Sequence, residues 1–134
     1  AKKAEVLEKA RNLEVIVPRT PAEGNAFGFL SFTAGVCEEI LYRGLLLGAL
    51  SAVIGIWPAV VVSSVIFGLG HAYQGGTGIL KTGLVGLAMA LLTVFSGTIW
   101  IAALLHMVID AASGRMMAEA IAQSTPAPEP EPAG

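Results

Sequence analysis

Apolar positions dominate residues 26–122, and the few polar ones do not recur at the spacing of a solvated face. Turn signals divide this stretch into four predicted helices. The first runs over about 27–54 and ends at Gly55, before "IWP". The second covers 58–73 and closes in the glycine-rich "QGGTG". The third covers 80–95 and stops at "SGT"; the fourth covers 98–122, its first part apolar enough for immersion. A bilayer core takes ~20 residues of helix, so the first of these is long and the second and third are short. The flanks differ in kind. In residues 1–25, Val6, Leu7, Ala10, Leu13 and Val17 recur at helical spacing opposite Lys2, Lys9 and Arg11. That pattern suits an amphipathic juxtamembrane helix, and a solvated linker helix fits it equally well. Residues 123–134 end in "TPAPEPEPAG", where proline alternates with acids and small residues, a composition that predicts disorder. The expected organisation is a juxtamembrane segment at 1–25, a core at 26–122 and a disordered tail at 123–134.

Composition turns "apolar" into "membrane". Hydrophobic residues make up 54% of the chain, charged residues 13%, and the mean hydropathy is +0.72. Soluble domains carry about 25% charged residues; too few are present here to coat a globule. A net charge of −2 and the absence of a basic stripe exclude a nucleic-acid partner. The single cysteine, Cys37, excludes an internal disulfide. With neither an initiator Met nor a cleavable signal, the chain reads as a piece of a longer membrane protein. The fold class expected is all-α: a polytopic integral membrane bundle of four core transmembrane helices.

Charge also orients it. Of eight Lys and Arg, all but Arg43 fall on one side of a four-span arrangement. Lys2, Lys3, Lys9, Arg11 and Arg19 precede the first helix, Lys81 follows the second, and Arg115 lies beyond the immersed part of the fourth. The positive-inside rule makes that side the cytoplasm. Trp57 and Trp100 fall at the opposite span ends, as an interfacial aromatic belt would place them. The expected location is the cell membrane, multi-pass, with the bilayer as partner.

Within the spans lie Glu38, Glu39, Arg43, His71, His106 and Asp110. An Asp, Lys or Arg at mid-span costs ~2.5–3.5 kcal/mol, and several together approach the ~5–15 kcal/mol by which a domain is stable. Such groups persist where they satisfy one another or perform chemistry. Glu39 and Arg43, four apart, share a helix face and can pair. Glu38 is turned about 100° away and needs a partner of its own. His106 and Asp110 are also four apart, and His71 follows Phe67 by four. Each motif alone fits a structural hydrogen bond or salt bridge. Together they supply a carboxylate base, an imidazole and groups for an oxyanion. They also supply two His and a carboxylate for an open zinc site, with His71, His106 and Glu38 as ligands. Cys37 reads as a small buried residue, Gly44 and Gly48 as a small-xxx-small helix contact, and Tyr73 as an interfacial anchor or a substrate contact.

"EEILYR" (Glu38, Glu39, Arg43), "FGLGH" (Phe67, His71) and "HMVID" (His106, Asp110) match in order the EExxxR, FxxxH and HxxxN/D motifs of the CAAX prenyl endopeptidase and bacteriocin-processing (Abi) family. The chain resembles that family over about residues 27–115. The resemblance implies an intramembrane endopeptidase, with no cofactor, acting on a membrane-associated peptide or protein from a cavity facing the cytoplasm. By the same resemblance, Glu38 with His71 activates water, His106 with residue 110 stabilises the oxyanion, and Glu39 with Arg43 holds and tunes the site. A bacterial member would serve peptide maturation or bacteriocin self-immunity. Asp110 departs from the asparagine of the best-understood members, and this bears on its oxyanion role: an amide donates a hydrogen bond there, whereas an ionised carboxylate cannot. Two other readings stay open: a zinc metalloprotease using the same residues, and a non-catalytic scaffold or immunity protein. A small transporter, which buried acids and histidines can also mark, is disfavoured by the absence of an internal repeat.

Overall fold

The computed structural model describes residue 18 and residues 20–123. The amphipathic pattern of residues 6–17 and the proline-rich tail lie outside the described residues. Four helical rods make up the rest, with no strand among the described residues. The first rod comprises α1 (Pro21–Glu39), a π-helical segment (Ile40–Leu46) and α2 (Leu47–Ile54). It is followed by α3 (Ile56–Gly70), a 3-10 turn (Ala72–Gln74), α4 (Gly75–Ser96) and α5 (Trp100–Ala122).

The first helix starts at Pro21, six residues before the predicted 27. Thr20 and Glu23 form a capping box: Glu23 N–H donates to Thr20 Oγ1 (3.2 Å) and Thr20 N–H to Glu23 Oε2 (3.3 Å). Pro21 occupies the first turn, where its missing N–H costs nothing. The third helix likewise starts earlier than predicted, at Gly75, and ends as expected at Gly97, whose φ of +68° makes a left-handed cap. The second helix stops at Gly70, which leaves His71 just beyond its end.

Polarity runs inside out. Glu39 is 0% exposed, and Arg43, His106, Ser63 and Ser64 are buried, whereas Val53 is 82% exposed and Phe29, Leu45 and Phe95 also face outward. Helices Ala72–Ser96 and Trp100–Ala122 are long and apolar enough to cross a membrane, and Ile56–Gly70 is a shorter apolar helix. An apolar exterior over a polar interior is the arrangement lipid demands.

Packing pairs α1 with α5 and joins α2, α3 and α4 into a second group. The α3–α4 contact is close: a Cβ at Gly68 would lie 2.8 Å from Ile79 O and 3.0 Å from Gly83 Cα. Backbone touches backbone there, so only small residues fit. The small-xxx-small pair Gly44 and Gly48 does not serve this purpose. Both lie on an exposed face, with nothing within 4 Å of a Cβ at Gly48. Cys37 is likewise exposed. The inward face carries Glu39, Arg43 and Leu47; Gly44 and Gly48 each follow one of these by one position, and Cys37 precedes Glu39 by two, so all three turn outward. Leu47 instead turns inward, with Ala59, Val60 and Ala90 around it.

Candidate active site

Between the two helix groups lies a cavity of about 340 Å³. From α1 it is lined by Phe27, Ala34 and Glu38, and from α5 by His106, Asp110 and Ser113. Phe67 and His71 close it from α3 and the residue after it; Lys81, Val85 and Met89 form the α4 wall.

Glu39 is the buried node. Its Oε1 accepts from Arg43 Nη1 (2.6 Å) and from His106 Nδ1 (2.9 Å). The pair four residues apart was legible in the sequence. The contact to a histidine 67 positions away was not. Arg43 also donates from Nη2 to Gly86 O (3.0 Å), and its guanidinium lies 4.2 Å from the Phe67 ring centroid. That stacking adds a cation–π attraction. Phe67 is packed edge-on by Tyr42, with centroids 4.9 Å apart. A Cβ at Gly86 would meet Phe67 Cδ1 at 2.7 Å, so this glycine makes room for both motif residues.

Two bonds settle the histidine tautomers. His71 Nδ1 lies 2.9 Å from Phe67 O; a carbonyl only accepts, so Nδ1 carries a proton. His106 Nδ1 carries one for the same reason, facing the Glu39 carboxylate. Both rings therefore turn Nε2 toward Glu38. Glu38 Oε2 lies 3.7 Å from His71 Nε2 and 3.9 Å from His106 Nε2, and Asp110 Oδ2 lies 3.6 Å from His106 Nε2. These distances exceed direct hydrogen bonds and suit a bridging water. All seven motif residues proposed from the sequence thus gather at one cavity or directly behind it.

A family model, Rce1-like type II CAAX prenyl endopeptidase, matches residues 24–112, well over half of the chain. The chain belongs to this family. The Rce1-like match spans α1 through most of α5 and contains every residue of the three motifs. Neither a curated protein nor a solved structure matches the chain. Rce1-like membership makes the chain a membrane protein of the CAAX prenyl protease class. Among the described residues, no group of three or more His, Cys, Asp or Glu is arranged to hold a metal ion. Gln74, Thr82, Val85 and Met89 also line the cavity, and neither spacing nor charge marks them in the sequence; Lys81 bears there on orientation alone. The signal available was the polar pair Lys81–Thr82 within an otherwise largely apolar helix.

Proposed function

We propose that this Rce1-like chain is an intramembrane endopeptidase that hydrolyses a peptide bond with a water activated by Glu38 and His71. The observation that carries the reading is the convergence of Glu38 Oε2, His71 Nε2 and His106 Nε2 on one point of the cavity. Glu38 takes a proton from the water as its oxygen attacks the scissile carbonyl carbon. The unprotonated Nε2 of His71 accepts the water's other hydrogen bond and aims it. His106, with Nδ1 committed to Glu39, donates from Nε2 to the oxyanion only as an imidazolium, and the Glu39 carboxylate balances that charge. Collapse of the tetrahedral intermediate breaks the C–N bond, and the Glu38 carboxylic acid returns its proton to the leaving amine. The substrate is a membrane-associated peptide or protein. In a bacterium, peptide maturation or self-immunity would use this chemistry.

Asp110 separates this mechanism from the zinc alternative. If Asp110 supports the oxyanion by donating a hydrogen bond, it does so protonated, and Asp110→Asn keeps or raises kcat while extending activity to higher pH. If Asp110 orients a metal-bound histidine, the same change costs roughly 10–100-fold, with activity restored by zinc and lost with chelator. Cleavage of membrane peptides by the purified protein, with and without chelator, reads out both. The first outcome is expected. A chelator-sensitive wild type with a crippled Asp110→Asn variant would replace the water mechanism by the metalloprotease.

The proposed topology is multi-pass in the cell membrane, with the cavity facing the cytoplasm, and it rests on the lysine and arginine count. Gly76 is exposed, with nothing within 4 Å of a Cβ. In a background lacking Cys37, Gly76→Cys should react with an impermeant thiol reagent in inverted vesicles and not in intact cells. Labelling in intact cells would reverse the orientation.

A further inference from the structure

The inward face of α1 carries Ser31, Gly35 and Glu39 at intervals of four. Glycine in a helix interior is less stable than alanine, so Gly35 needs a reason of its own. The reason lies across the interface. There α5 runs antiparallel to α1, with Phe27 against Gly114 and Gly35 against Ala103 and Met107. A Cβ at Gly35 would collide with Met107 Cγ and lie 3.1 Å from Met107 N and 3.2 Å from Ala103 O. Two of those three atoms are backbone, which no change of rotamer moves aside. Both distances are shorter than the ~3.5 Å of a relaxed contact, so any side chain at 35 forces the helices apart.

The same crossing carries the contact that holds the oxyanion group. Glu39 stands one turn beyond Gly35, and Met107 N belongs to the residue that follows His106. The bond from His106 Nδ1 to Glu39 Oε1 spans 2.9 Å and joins the two helices at this level. Resting on the proteolytic reading above, we propose that Gly35 is a positioning residue for His106. Its bare Cα sets the α1–α5 spacing at which Glu39 holds the Nδ1 proton, and so keeps Nε2 aimed into the cavity. A methyl group at 35 parts the helices by a few tenths of an ångström. That carries the 2.9 Å bond to the ~3.2 Å limit of a good N–H···O bond or past it. Glu39 does not follow His106 across the gap, because Arg43 holds the same carboxylate oxygen at 2.6 Å from its own helix. The His106 ring then loses the acceptor that fixes its tautomer, and Nε2 loses its place beside Glu38.

Having only two histidines, the chain makes this readable without turnover. Protein with isotope-labelled histidine, reconstituted in nanodiscs, gives one Nδ1–H resonance from His106 and one from His71, told apart by a His71→Gln variant. His71 bonds Phe67 O on its own segment and serves as the internal reference. Gly35→Ala should move the His106 proton upfield, as a lengthened hydrogen bond does, and leave His71 unmoved. In cleavage assays the same variant should lose about tenfold in kcat, in line with the ~100-fold that a 1 Å misplacement can cost. Its KM should stay close to wild type. Where Gly35→Ala does not fold, the double variant Gly35→Ala, Met107→Ala carries the test. The side-chain collision is then gone, both backbone contacts remain, and the upfield shift is still expected. Gly114→Ala is the packing control. Its Cβ would run into the Phe27 ring, so the melting temperature should fall while the His106 resonance holds. A wild-type His106 resonance in either folded Gly35 variant, an equal shift in Gly114→Ala, or a shifted resonance with unchanged kcat would each overturn the proposal. A shifted resonance in protein that cleaves nothing, wild type included, would keep Gly35 as the spacer of Glu39 and His106 and remove the protease.

Discussion

Glu38→Gln should reduce peptide cleavage by at least 100-fold, within the ~10²–10⁴ range that a general base contributes, while the detergent melting temperature stays within a degree or two of wild type. Glutamine keeps the shape of the side chain and removes only its ability to take a proton. The Glu38 side chain is partly exposed, and its Oε2, itself buried, makes no hydrogen bond to another described residue, so no hydrogen bond is lost with the charge. Measurable turnover in purified Glu38→Gln protein, above that of a mock preparation, would transfer the role of base to another group.

Glu39→Gln should behave in the opposite order, with stability falling first. Removing one partner of a buried ion pair costs about 3–5 kcal/mol, and here the orphan would be Arg43, which is buried and bonded to Gly86 O. A neutral amide offers Arg43 and His106 Nδ1 a weaker acceptor and removes the carboxylate that bonds His106 directly, so activity falls as well. The double variant Glu39→Gln, Arg43→Gln divides these effects. It removes the orphan charge and should recover a substantial part of the melting temperature, while cleavage remains low because His106 still lacks its carboxylate. Full activity in the double variant would reduce Glu39 to a structural role, and an unchanged melting temperature in Glu39→Gln would contradict the buried pair itself.

That contrast also marks how far the sequence could be read. Glu39 and Arg43 share a face because they are four apart on one helix, and local geometry alone makes them a pair. Nothing local points from Glu39 to His106, which meets it only because α1 packs on α5. The four rods were legible from apolar runs, but their ends were less so. The apolar run begins at 27, but the capping box of Thr20 and Glu23 starts the helix earlier, at Pro21. The π segment leaves no periodic trace, since "ILYRGLL" is apolar on most sides. The small-xxx-small spacing of Gly44 and Gly48 suggests packing positions and the small size of Cys37 a buried one, but which face turns inward is set by Glu39, Arg43 and Leu47. Gly68, Gly83 and Gly86, which do permit close approach, carry no spacing that distinguishes them from the other glycines. Lys81 enters the sequence argument only as a charge outside the spans, although it lines the cavity.

The bond from Arg43 to Gly86 O has a mechanical meaning. It fastens the helix that bears both glutamates to the wall that bears Lys81, Val85 and Met89, at a depth below the mouth of the cavity. A guanidinium keeps its charge under all ordinary conditions, so pulling that wall away would strand a cation in a dry interior. The two helices are therefore riveted at Arg43, and the rivet sets the width of the cavity floor, the spacing between the helix of the two glutamates and the opposite wall at that level.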